Sequence, residues 1–172
     1  TDSAWMGYQY EQNSHHLQLN GRFDRLSDLN SKNFLTGAIN YGYDITPAWR
    51  VLAGYSNGFA APSFNQLYYP PYCYGGYCFD SSNPNLKTEK ANYAQLGVQW
   101  AQAHYGARVT YFDTRYRDKI ANDANYIPQN IARARAKGVE AHAWYGLNGW
   151  NVDAGVTYQE VRDRDTHALL IR

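Results

Sequence analysis

Apolar and polar residues alternate with a period of two along most of this chain. The segments that alternate begin their apolar faces at Ala4, Leu17, Leu35, Trp49, Ala94, Tyr105, Val139 and Trp150. Such alternation lines the two faces of a β-strand, whereas a helix repeats its apolar positions every three to four residues. The pattern therefore predicts an all-β fold of about eight strands.

Short turns and longer polar connections join the predicted strands alternately. The short turns are Asn13-Ser14, Thr46-Pro47, residues 102–104 and Asn148-Gly149, of which the last is the strongest local hairpin signal. Short turns at one end, long loops at the other and an apolar face that ends in Tyr or Trp are typical of an outer-membrane barrel. The sequence predicts an antiparallel transmembrane β-barrel segment, and a soluble β-sandwich or lipocalin-like barrel is the alternative.

This interpretation assigns the two faces of the strands to lipid and to the lumen. The residues expected to face lipid include Leu17, Leu19, Val152, Ala154 and Val156. The residues expected to face the lumen include Gln18, Arg22, Glu140, His142 and Asp153. Polar side chains are expected in a wet lumen, so Glu140 and His142 do not predict a catalytic pair, and we expect neither an enzyme nor a cofactor.

The connection after the fourth predicted strand, from about Phe59 to Thr88, is unusually long and aromatic. Its aromatic residues include Tyr68, Tyr69, Tyr72, Tyr74, Tyr77 and Phe79. Loops of this length are usually functional or disordered, and so many aromatic residues are atypical of disorder. We predict that these six residues bind substrate; alternatively, their rings pack on each other and keep the loop folded over the lumen.

The two cysteines of the chain, Cys73 and Cys78, lie inside this loop and enclose Tyr-Gly-Gly-Tyr. The glycines permit the chain reversal that brings two cysteines within bonding range. This spacing predicts a small disulfide loop in an extracytoplasmic compartment. Because no histidine lies nearby, the pair is poor evidence for a metal site, and we predict none.

The composition narrows the classes of partner. The chain has 172 residues, 16 basic and 15 acidic, and 16% of its residues are aromatic. Its near-neutral balance provides no basic field for nucleic acid. A run of about 18 apolar residues is missing, which excludes a transmembrane helix, and the first residues do not resemble a signal peptide.

Four short motifs occur in an order that is specific although each motif alone is weak. They are residues 55–62 (YSNGFAAP) with 66–68, residues 83–89 (NPNLKTE), residues 111–112 with 118–120, and Asn130 with Ala134 and residues 137–140 (KGVE). This set resembles the barrel of TonB-dependent outer-membrane receptors, and within them it looks most like the cobalamin receptors. The Cys73 to Cys78 insert has no counterpart in that pattern.

The resemblance implies a receptor segment in the cell outer membrane that binds and imports cobalamin or a related corrinoid with energy from TonB. The family barrel is plugged and has about 22 strands, so residues 1–172 are expected to be an internal part, without the plug domain and the C-terminal strands. Lipid and TonB are the implied partners. A ferric siderophore or haem receptor of the same family, and a passive eight-stranded barrel, are the alternatives.

Overall fold

The computed structural model describes residues 2–26, 32–123, 125–130, 133–147 and 149–164, with the side chains of Lys32 and Phe79 left out. The elements are β1 (Asp2–Gln12), β2 (His15–Leu26), β3 (Lys32–Thr46), β4 (Trp49–Ala60), α1 (Phe64–Tyr68), β5 (Tyr72–Tyr74), β6 (Tyr77–Phe79), β7 (Glu89–Ala101), β8 (Tyr105–Arg117), β9 (Ile120–Asn122), β10 (Pro128–Asn130), β11 (Ala134–Leu147) and β12 (Trp150–Asp163). Eight long strands form one antiparallel sheet in the order β1-β2-β3-β4-β7-β8-β11-β12, and β5 with β6 and β9 with β10 form two small hairpins. The predicted all-β fold of about eight strands is confirmed.

The short turns lie at one end of the main sheet and the long connections at the other. At the turn between β3 and β4, the hydroxyl oxygen of Thr46 accepts the N–H groups of Ala48 and Trp49 at 3.3 and 3.1 Å. Between β11 and β12, Gly149 has a φ of 81°, and Leu147 pairs with Trp150. The predicted hairpin is therefore present, while Asn148 and residues 27–31 of the β2–β3 connection lie outside the described residues.

The strand register aligns apolar with apolar and polar with polar positions across all eight strands. One continuous row consists of Tyr10, Leu17, Tyr41, Ala53, Leu96, Tyr111, Val139 and Tyr158. The adjacent row, on the opposite face, consists of Gln9, Gln18, Asn40, Gly54, Gln95, Phe112, Gly138 and Gln159. A slip of one residue in any strand would move its apolar residues to the polar face, so the alternation excludes register shifts of one residue.

The apolar face of the sheet is exposed. Leu96 and Val156 are 65% and 69% exposed, whereas the buried apolar residues among those described are Leu67, Leu86, Ala134 and Ala136. A soluble sandwich would bury such a face in its core, so the exposed face is suited to lipid.

The height of the apolar face also suits a membrane. On β12 it runs from Trp150 to Tyr158, which is about 27 Å along the strand and about 21 Å across a membrane at the usual strand tilt. That height is close to the roughly 25 Å of the apolar band of outer-membrane barrels. The described part of the chain holds no helix with the length and apolarity that crossing a membrane requires.

Aromatic rings mark the short-turn end of the apolar face. The ring of Trp100 lies 6.5 Å from that of Trp49 and 5.4 Å from that of Tyr105, measured between centroids. Tyr145 and Trp150 lie at the same end of β11 and β12. Such rings form the girdle that outer-membrane barrels place at the membrane interface.

The packing around Gly138 explains why the 137–140 motif has a glycine at this position. The strands β8, β11 and β12 approach so closely there that an added Cβ would collide with the carbonyl oxygen of Tyr158 and the ring of Phe112. A larger residue would force the strands apart, because backbone atoms cannot move aside as a flexible side chain can.

Candidate functional site

The long connection between β4 and β7 begins with the short helix α1. The side chain of Ser63 accepts the N–H of Gln66 at 3.2 Å, and the side chain of Gln66 accepts the N–H of Ser63 at 2.8 Å. This reciprocal pair is a capping box, and its Ser-x-x-Gln signal is readable from the sequence. The helix buries Leu67, which is 5% exposed.

The hairpin of β5 and β6 follows α1. Its turn consists of Gly75 and Gly76, with φ values of 61° and 84°, which glycine adopts without the penalty that a Cβ imposes. Cys73 pairs directly with Cys78, and their Sγ atoms are bonded at 2.05 Å. The aromatic insert is therefore an ordered two-stranded element at this point, which the period-two pattern alone did not predict.

The six predicted substrate-binding residues fall into two groups. Tyr72, Tyr74 and Tyr77 alternate with the disulfide and share the opposite face of the hairpin, with 65%, 75% and 74% of their surfaces exposed. Phe79 pairs with Tyr72 in the backbone register, and its side chain lies outside the described part.

Tyr68 and Tyr69 form the second group, at the end of α1. The ring of Tyr68 lies 5.3 Å from that of Phe64, between centroids, and Tyr69 caps the helix with its N–H bonded to the oxygen of Asn65. The structure thus brings Tyr72, Tyr74 and Tyr77 together as one face, while Tyr68 and Tyr69 lie apart from them at the end of α1 and are about half exposed.

The aromatic face carries little charge. Asp80 is the one carboxylate in residues 61–82, and this stretch has no Lys, Arg or His. The N–H and hydroxyl of Ser82 donate to Asp80 at 3.0 and 2.8 Å and lower the pKa of that carboxyl. The face is therefore suited to a large ligand with an aromatic or weakly charged surface.

The NPNLKTE motif fastens this loop to the connection between β8 and β11. The side-chain nitrogen of Asn83 donates to the oxygen of Pro128 at 2.9 Å. Asn130 accepts the N–H of Lys87 at 2.6 Å and donates to the oxygens of Lys87 and Asp118 at 2.8 and 2.7 Å. The side chain of Asn130 bonds both the N–H and the carbonyl oxygen of Lys87, as a neighbouring strand would. It therefore connects the backbones of the two loops.

Glu89 completes this anchor at the start of β7. Its carboxylate accepts the N–H of Ile120 at 2.8 Å, and the neighbouring Leu86 and Thr88 are 5% and 7% exposed. The motif residues that the family resemblance singled out thus hold the two loops together. Their local sequence holds no signal that would have revealed these contacts, because the partners are 31 to 45 residues apart.

The remaining polar candidates have partners within the fold. Asp123 accepts the N–H groups of Asn125 and Ile127 at 2.8 and 3.0 Å and so shapes the turn between β9 and β10. His142 lies 2.6 Å from Asp153, between Nε2 and Oδ1, on the polar face of the sheet. No three His, Cys, Asp or Glu side chains within the described ranges are grouped as metal ligands.

The polar face also holds a shallow cleft of about 270 Å³, lined by Gln18, Asn40, Gln95, Arg108 and Thr110 among others. Its amide, hydroxyl and guanidinium groups are those of a wet barrel wall.

Comparison with known proteins shows the family. The family model described as "TonB dependent receptor-like, beta-barrel" matches residues 3–169, and the chain belongs to this family of outer-membrane receptor barrels. Two relatives with similar sequences are vitamin B12 transporters. The chain is 29% identical over 138 residues to the vitamin B12 transporter BtuB of Photobacterium profundum, covering 76% of this chain and 21% of that protein. It is 26% identical over 140 residues to BtuB of Vibrio vulnificus, covering 77% and 21%.

Solved structures share the fold. The siderophore receptor PirA from Pseudomonas aeruginosa superposes with a TM-score of 0.76 at 20% identity, over 94% of this chain and 32% of that chain. The chain thus spans about a fifth of the length of the curated relatives it matches. These findings place the chain in the outer membrane and confirm the predicted family and barrel fold, and members of the family are transport receptors rather than enzymes.

Cys73 and Cys78 are expected to be oxidised in the mature protein. A disulfide that closes so short a loop stabilises by about 2 to 3 kcal/mol, chiefly by restricting the unfolded loop. Thiol titration of denatured, unreduced protein should detect no thiol, and the same titration after reduction should detect both, since the chain has two cysteines. Two reactive thiols before reduction would contradict the bridge.

Proposed function

We propose that this chain forms part of the wall and two outer loops of a receptor that captures cobalamin or a related corrinoid and imports it with energy from TonB. The observation that carries the proposal is the exposed aromatic face of Tyr72, Tyr74 and Tyr77 on a hairpin closed by a disulfide. Tyrosine rings supply a large contact area with few rotatable bonds, so such a face binds a large ligand at low entropic cost.

The charge of the loop favours a corrinoid over the alternatives. A corrinoid presents apolar faces and an amide-rich periphery, whereas haem and anionic ferric siderophores carry negative charge that cationic side chains would recognise. Residues 61–82 contain no cationic side chain. The vitamin B12 transporters among the relatives support the same choice.

Energy coupling in the proposed receptor requires parts other than this section of the barrel wall and its loops. A plug domain inside the barrel, further strands and contact with TonB belong to the proposed complete receptor. The polar face, with its cleft beside Gln18, Asn40 and Arg108, provides hydrogen-bonding groups against which such a plug would pack.

Replacing Tyr72, Tyr74 and Tyr77 together by alanine in the full-length gene product is expected to weaken corrinoid binding by at least about tenfold, or about 1.4 kcal/mol. The rings supply the contact area, while the disulfide and the glycine turn remain. Equilibrium binding of radiolabelled cyanocobalamin measures the effect, and heat-modifiable migration on a gel checks that the barrel still folds.

The matched control replaces the same three residues by phenylalanine, which keeps the rings and should retain most of the affinity. Unchanged corrinoid affinity in the alanine variant would remove the hairpin from the binding site. Binding confined to a ferric siderophore or haem would favour that alternative, and passive solute flux without TonB would favour a passive barrel.

A further inference from the structure

The apolar face of the sheet turns strongly basic at its long-loop end. On β8 the face continues from Tyr111 to Asp113, Arg115 and Arg117, and on β12 from Tyr158 to Glu160 and Arg162. We name the charged residues on this face of β7, β8, β11 and β12 the basic collar; they are Lys90, Asp113, Arg115, Arg117, Arg135, Lys137, Glu160 and Arg162. Six of the eight side chains are basic.

Three arginines of the basic collar are direct cross-strand neighbours. Arg115 pairs with Arg135, and Arg135 pairs with Arg162, so that three like charges cross β8, β11 and β12 in one row. Like charges directly opposite each other destabilise a sheet. A bound anion would reduce this repulsion, so the row favours anion binding.

The two carboxylates of the basic collar offset only part of this charge. Asp113 accepts from Arg135 at 2.8 Å and from Arg115 at 3.3 Å, and Glu160 is bound by Arg162 and by Lys137. Each carboxylate thus forms ion pairs with two basic side chains. The side chains of Arg115, Arg135 and Arg162 remain 55%, 40% and 47% exposed, so their guanidinium groups are accessible from the outside of the wall.

An apolar groove opens directly below the basic collar on the same face. It encloses about 470 Å³ between the side chains of Ile39, Tyr55, Leu96 and Tyr111, over the small residues Ala53 and Ala94, and Asp113 lines it as well. The groove therefore joins the lipid-facing band to the charged rows, which begin about 7 Å along the strand beyond Tyr111.

From this arrangement we infer that the basic collar binds the phosphate groups of an anionic lipid of the outer leaflet, with an acyl chain of that lipid in the groove. Guanidinium groups bind phosphate through paired charge-assisted hydrogen bonds, and the continuity of the basic collar with the lipid-facing band puts those phosphates at headgroup height. The inference rests on the outer-membrane location and not on the identity of the imported ligand.

The test measures binding of bisphosphorylated lipid A to the full-length gene product in detergent by native mass spectrometry. Replacing Arg115, Arg135 and Arg162 together by glutamine should weaken this binding by at least about tenfold, because each basic residue near an anionic lipid contributes to the attraction. Binding of zwitterionic phosphatidylcholine should not change. If millimolar inorganic phosphate displaced the lipid, the site would recognise free phosphate and the proposal would be wrong.

Three further variants keep the test decisive. Replacing the same arginines by lysine preserves the charge and should retain most of the affinity. Adding Asp113→Asn and Glu160→Gln to the glutamine variant removes the carboxylates that would otherwise be stranded, and it should show the same loss. Arg108→Gln, on β8 but at the polar cleft, should have no effect; an equal loss there, or full affinity in the glutamine variants, would overturn the proposal.

Discussion

Replacing Asn130 by alanine is expected to release the two outer loops from each other and to weaken ligand binding. The change removes one hydrogen bond accepted from Lys87 and two donated to Lys87 and Asp118. At about 1 kcal/mol each, the three hydrogen bonds contribute about 3 kcal/mol of local stability. Hydrogen exchange of the full-length gene product should show the Lys87 amide exchanging about thirtyfold faster or more.

The control for this change is Asn125→Ala in the same loop. The main-chain N–H of Asn125 donates to Asp123 at 2.8 Å, and alanine retains that N–H. We expect exchange at Lys87 to be unchanged in this control. Unchanged protection of Lys87 in Asn130→Ala would mean that the loops are held by other contacts, and the anchoring role of Asn130 would be wrong.

Replacing Ala154 by arginine is expected to destabilise the barrel by about 2 to 4 kcal/mol, the usual cost of a basic residue at the centre of the lipid-facing band. Ala154 lies midway between Trp150 and Tyr158 on the apolar face of β12. Urea unfolding of the full-length gene product in lipid vesicles measures the difference.

Thr157→Arg is the matched control for Ala154→Arg on the same strand. Thr157 lies on the polar face opposite Glu140, where an arginine stays in water beside a carboxylate, so stability should change by no more than about 0.5 kcal/mol. Equal penalties at both positions would contradict the assignment of the two faces. Spin labels at Val152 and Val156 that reported water rather than lipid would contradict it as well.

The barrel wall and the outer loops differ in how they are held in place. The wall is a continuous ladder of paired strands, whereas the loops depend on a few side-chain contacts from Asn83, Glu89 and Asn130. Binding loops are commonly drawn from the less stable parts of a fold. A loop variant can therefore lose ligand while the barrel remains intact.

The strands, the turns and the two faces can be predicted from the sequence alone. These follow from neighbouring residues, because the period of two and turn signals such as Asn148-Gly149 act over a few positions. The turn between Cys73 and Cys78 can also be predicted locally, since it consists of Gly75 and Gly76. The capping box of Ser63 and Gln66 is another local signal, although alternation with a period of two does not reveal it.

Contacts between residues that are distant in sequence depend on the folded arrangement of the strands and loops. Asn130 reaches Lys87 across 43 positions, and the arginine row exists because the register places Arg115 opposite Arg135 and Arg135 opposite Arg162. Alternation shows to which face a residue points, but it does not show which residue of the next strand lies beside it. That information arises when the paired strands fix their register, which long connections leave open until the sheet has formed.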